Sequence, residues 1–120
     1  MGNVNNANNA LLNLAVEGWR FARSYLRLIK KLDAGDQNRY ASQFSYFQKQ
    51  LEDRVGEIGY KLVSIEGQLY NTGLAVTALN IGDFQSDENL IVEQMLEPII
   101  MNADGLVKPG TVLLRKADIR

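Results

Sequence analysis

Between Leu11 and Leu32, apolar and small residues return at spacings of 4, 3, 4, 3, 4 and 3: Leu11, Ala15, Gly18, Ala22, Tyr25, Ile29 and Leu32. Alternating threes and fours keep these positions on one helical line for three heptads, whereas a strand needs a period of two. Leu14, Phe21 and Leu28 form a second row, and Leu12, Val16, Trp19 and Leu26 a third. A stripe that wide exceeds the needs of a two-stranded zipper. It suits a helix contacted from two sides in a bundle.

The sequence predicts that this helix stops around Asp33-Ala34-Gly35-Asp36. Lys30 and Lys31 lie in its last turn, where positive charge suits the carbonyl end of the dipole. Gly35 is expected to take the left-handed C-terminal conformation and Asp36 to cap a second helix. That helix runs from about Gln37 to about Ile58, with Tyr40, Phe44, Phe47, Leu51, Val55 and Ile58 on one face and Gly59 as its stop. Residues 11–59 therefore read as an antiparallel helical hairpin. Two hairpins make a four-helix bundle, and one alone leaves much of its apolar surface wet. Residues 1–10 hold five Asn and little to bury, and are expected to be disordered.

After Gly59 the helical period is lost. Leu62–Ile65 and Leu74–Leu79 are short strand candidates, and residues 81–89 read as a polar loop. Leu90 to Met101 alternates imperfectly around Pro98, which leaves a bent or edge strand and a short helix both open. Lys108-Pro109-Gly110-Thr111 looks like a turn before a last strand at Val112–Leu114. The expectation is an α+β chain: a helical hairpin, forming a dimeric four-helix bundle, then a small β-rich module of about four strands over residues 60–120.

Composition narrows the chemistry. The chain has no Cys and no His. Thiolate nucleophiles, disulfides, thiolate metal sites and imidazole general bases are thereby excluded. An enzyme is the least expected class, and no cofactor or metal is expected. No apolar run approaches the roughly 20 residues of a membrane span. The first residues lack a basic stretch followed by an apolar one, so no secretion signal is read and a cytoplasmic location is expected. Residues 1–61 carry nine basic and six acidic side chains, net +3; residues 62–120 carry four and eight, net −4.

The remaining candidates have simpler explanations. Arg20, Arg23, Arg27, Lys30 and Lys31 make a basic stripe that suits phosphate or an acidic partner. A solvated outer face paired with neighbouring acids explains it as well, and nucleic acid is not expected because the chain is not basic overall. Gly56-Glu57-Ile58-Gly59 has the GxxG spacing of a KH loop but carries an acid between its glycines. Gly59 as a helix stop accounts for it. Glu52, Asp53 and Glu57, or Asp87 and Glu88, point in different directions and read as surface. Of the aromatic residues, Phe44 and Phe47 lie on the seam, Tyr46 lies off it, and Trp19 is either core or a dimer contact.

The stretch Gln48–Tyr70 (QKQLEDRVGEIGYKLVSIEGQLY) is similar to a family pattern: a helix ending in Leu-x-x-Leu, a Gly, an Ile-x-x-x-Gly strand, then Phe-Asp-Pro. Gly110–Ala117 (GTVLLRKA) resembles the closing Gly-x-Arg-x-Leu-Arg-Pro-Ala of the same family, agreeing at Gly110, Leu114, Arg115 and Ala117. On these residues and on the order of elements over residues 11–118, the chain resembles the GrpE family of nucleotide exchange factors. Tyr70-Asn71-Thr72 stands where the family has Phe-Asp-Pro, and Val112 where it has the Arg that reaches the chaperone. The resemblance implies a homodimer whose β-module engages the nucleotide-binding domain of a DnaK-type chaperone and promotes ADP release. It implies partner contacts at Tyr70, Asn71, Leu74, Leu114 and Arg115, with Glu66 and the Asp83–Glu88 loop as further candidates. It places the dimer interface on Leu11, Tyr25, Ile29, Phe44, Phe47, Leu51 and Val55. The rival expectation is a dimeric adaptor with the same fold and no exchange activity.

Overall fold

The computed structural model describes residues 2–117, with side chains from Asn6 onward. The chain is α+β: two long helices are followed by a small β-rich region of two sheets. It divides into two compact units that meet in sequence at Lys61 and Leu62.

In the first unit, α1 (Gly2–Ile29) and α2 (Ala34–Glu57) form the hairpin. Residues 2–10 belong to α1, which corrects the expectation of a disordered start; Met1 lies outside the described residues. Asn is a mediocre helix former, but a helix already nucleated gains one backbone bond for each residue it adds.

The turn between the helices is tighter than the sequence suggested. The Lys31 and Leu32 N–H groups donate back to the carbonyls of Leu28 and Ile29 at 3.1 and 3.0 Å, drawing in the last turn of α1. Asp33 caps α2, not Asp36: its backbone is extended and its carboxylate accepts the Asp36 N–H at 3.0 Å. Gly35 is accordingly helical rather than a C-cap. The Gln37 side-chain amide donates to the Leu32 carbonyl at 2.6 Å and to the Lys30 carbonyl at 3.3 Å, so α2 satisfies acceptors left open where α1 ends.

At the far end, Gly59 does stop α2. It adopts φ +88°, its N–H bonds to the Gly56 carbonyl at 3.0 Å, and the Tyr60 N–H bonds to the Val55 carbonyl at 3.0 Å. This pair of bonds is the Schellman closure.

Along the seam, small residues let the helices approach. Ala15 and Ala22 are buried, and a Cβ on Gly18 would sit 3.3 Å from the Phe47 ring. Tyr25 and Tyr40 meet edge to face at 6.5 Å.

The second unit is built on one long hairpin broken in two. β3 (Leu90–Glu97) and β6 (Gly110–Lys116) pair antiparallel, as do β4 (Ile99–Asn102) and β5 (Gly105–Lys108). Pro98 separates β3 from β4, and Pro109 separates β5 from β6. Each lacks an N–H for the ladder, so the two arms break at the same level. β1 (Lys61–Val63) joins β4 and β5 in one sheet; β2 (Val76–Ala78) lies parallel to β6 in the other, in the order β2-β6-β3.

This settles the open reading of residues 90–101 as strand, bent at Pro98. It also corrects two expectations. Among the described residues there are six strands rather than about four, and the Lys108–Thr111 segment is not the turn; the turn is Ala103-Asp104. The poor alternation of β3 has a local cause. Its register against β6 shifts between Val92 and Gln94 and again between Met95 and Glu97, so each bulge resets the phase. Leu90, Val92 and Met95 all point into the core with Ile100, Val112 and Leu114. The Met95 N–H, beside the bulges, donates to the Glu66 carboxylate at 2.8 Å.

Candidate protein-binding surfaces

On the hairpin, the seam from Leu11 to Ile29 faces the chain's own α2. Ile29 and Val55 are only 4% and 1% exposed in a single chain. Ile29 still lines a shallow hollow, whereas burial takes Val55 out of the expected dimer contacts. Leu11, Tyr25, Phe44 and Leu51 are half-buried, and Phe47 is exposed.

The row that remains open is the second one: Leu14, Phe21 and Leu28 are 67%, 72% and 62% exposed. Two shallow apolar hollows lie beside it. Phe21, Phe44 and Phe47 line one of about 230 Å³, and Leu28, Leu32 and Tyr40 one of about 260 Å³; Tyr25 borders both. A ridge spaced by sevens and flanked by hollows is the relief that helices use to interdigitate. The spacing was visible in the sequence, but which of three rows would stay exposed was not.

The basic stripe is partly spent. The Arg23 guanidinium lies 4.1 Å from the Trp19 ring centroid and 5.9 Å from that of Phe44. Arg20 pairs with Glu17 at 3.5 Å, and Arg27 donates to the Ser24 hydroxyl at 3.1 Å.

On the β-module, a cleft of about 300 Å³ opens between two loops. One wall is the turn Tyr70-Asn71-Thr72. The other comes from the short 3-10 turn Ile81–Asp83 and the loop after it, through Ile81, Gln85 and Ser86; Glu88 and Leu90 close the base. Hydrogen bonds hold both walls. The Tyr70 N–H donates to the Leu90 carbonyl at 2.8 Å, and the Asn71 side-chain oxygen accepts the Gly73 N–H at 2.8 Å. Asn80 clasps β6 twice: its amide donates to the Leu114 carbonyl and its oxygen accepts the Leu114 N–H, both at 2.9 Å. Glu88 accepts the Gln85 N–H at 2.7 Å and pairs with Lys116 at 3.0 Å. The Gln85 N–H and the Lys116 ammonium both hold its carboxyl below the ordinary carboxylate range.

The structure thus brings Tyr70 and Asn71 together with the Asp83–Glu88 loop. It does not bring the other expected contacts there. Leu114 is 2% exposed and belongs to the core, which corrects its place as a partner contact. Leu74 is half-buried, and its N–H bonds to the Asn71 carbonyl. Arg115 is exposed, with its guanidinium on the Lys116 carbonyl at 3.2 Å. The Glu66 carboxylate serves the Met95 backbone. Sequence reasoning missed Leu69, Leu79 and Ile81, all exposed. Their signal was weak: isolated leucines and isoleucines among turn residues.

Among the described residues there is no group of three or more acidic side chains placed to hold a metal ion. Among them, too, no helix is long and apolar enough to cross a membrane. Compared with family models, curated proteins and solved structures, the chain matches none.

Proposed function

We propose that the chain is a GrpE-like co-chaperone: a homodimer that binds the nucleotide-binding domain of a DnaK-type chaperone and promotes ADP release. The observation that carries this reading is the division of labour between the two units. The hairpin keeps a heptad-spaced apolar ridge exposed, and the β-module holds the Tyr70-Asn71 turn rigidly at the mouth of a cleft. The first feature suits self-association and the second suits presentation to a partner.

In this reading the dimer face is Leu14, Phe21 and Leu28, with Tyr25 and Phe47 beside them. Six such ridge residues from two copies gain roughly 9–18 kcal/mol on burial, against an association cost of about 4–15 kcal/mol. Release of ADP is then a population shift. A factor that binds the open-cleft chaperone a hundredfold more tightly, about 2.7 kcal/mol, moves a 1:99 population to near parity. The test is release of labelled ADP from a DnaK-type chaperone, which the full chain should accelerate at micromolar concentration. Unchanged release overturns the exchange reading.

One observation favours a second reading, a dimeric adaptor without exchange activity. Val112, where the family has its chaperone-reaching Arg, is fully buried, and so is Leu114. A chain that binds a partner through the β-module yet leaves ADP release unchanged is the outcome that selects the adaptor.

A further inference from the structure

The walls of the β-module cleft have a consistent chemistry. Ile81 and Leu90 supply an aliphatic lining, Tyr70 an aromatic side chain, and Gln85 and Glu88 polar groups, the Glu88 carboxylate already accepting the Gln85 N–H and pairing with Lys116. A Lys or Arg side chain has the complementary form, an apolar stem that wants such a lining and a charged head that wants acceptors and an aromatic face.

Lys116 balances Glu88 at the base of the cleft, and the loop beside it is acidic. Asp83 and Asp87 stand exposed on the loop and form no ion pair among the described residues. The sequence from 62 to 120 carries net −4. Such a field draws cationic groups toward the mouth and disfavours anionic ones. Leu69 and Leu79 precede Tyr70 and Asn80 in the chain, lie outside the lining of the cleft, and are exposed apolar surface that a free amine leaves wet and a protein surface covers.

We infer that the cleft between Tyr70-Asn71-Thr72 and the Ile81–Glu88 loop seats a Lys or Arg side chain presented, between apolar neighbours, by a partner protein. The inference rests on the reading of the β-module as the partner-binding unit and names what that unit recognises. The cleft is bound in place by the Asn80 clasp and the Tyr70–Leu90 bond, so little ordering cost opposes docking.

The test uses the isotope-labelled full chain and two pentapeptides, Gly-Leu-Arg-Leu-Gly and Gly-Leu-Glu-Leu-Gly, with blocked ends. The arginine peptide at millimolar concentration should shift the amide resonances of Tyr70, Ser86 and Glu88, and the glutamate peptide should not. Replacing both exposed acids (Asp83→Asn, Asp87→Asn) should weaken the arginine peptide roughly threefold to tenfold at low salt. A second variant, Ile81→Ser, should weaken it without changing the salt dependence. Absent shifts at the cleft, equal shifts with both peptides, or indifference to the paired Asn replacements would overturn the inference. Because no chaperone is present, the result is separable from the ADP-release assay: either can fail while the other stands.

Discussion

Three single residues carry measurable consequences. Gly110 has no room for a side chain: a Cβ would lie 2.7 Å from the Met95 methyl and 2.9 Å from the Glu97 carbonyl oxygen. The methionine end can swing, but the backbone oxygen cannot. Gly110→Ala should therefore destabilise the protein by about 1–3 kcal/mol, read as a lower urea midpoint. Asp33→Ala removes the cap on α2 and should cost about 1 kcal/mol in the same measurement. Glu88 adds a pH signature. Its folded pKa lies below the ordinary 4.5, so its stabilising contribution is complete above that value and is lost as pH falls through the lower folded value. Glu88→Gln should be less stable than the parent chain at neutral pH, with the gap closing in acid. A gap independent of pH would refute this linkage.

At the scale of elements, Gly59 closes α2 in a conformation that L side chains adopt only with strain. Gly59→Ala should cost about 1–2 kcal/mol, with urea unfolding as the check. The helices were legible because burial at Ala15, Ala22 and Ile29 repeats with the helical period that the sequence prints. The cap assignments were not, since Asp33 and Asp36 both precede helical residues and only backbone geometry separates them. In the sheet region, β1, β2 and β6 fell close to apolar runs. β5 was invisible: three of its four residues are exposed, so it shows no alternation, and Pro109 next to it mimics a turn. The bulges hid the pattern of β3 for a related reason, because each extra residue inverts the side-chain phase. Of the candidate site, Tyr70, Asn71 and the acidic loop were legible as positions. Their convergence on one cleft depends on the Asn80 clasp, a pairing 34 residues apart in sequence.

For the whole molecule, the proposed homodimer requires that a second copy cover the hairpin's exposed ridge. Phe21, the most exposed of the three ridge residues, reports on this from outside the buried row of the seam. The most direct measurement is the mass of the full chain by light scattering, alone and as Phe21→Lys. The homodimer should give twice the 13.4 kDa chain mass for the parent chain, and the single-chain mass for the variant with its helical content retained. A parent chain that stays folded at 13.4 kDa at micromolar concentration would contradict it, as would a variant that remains double.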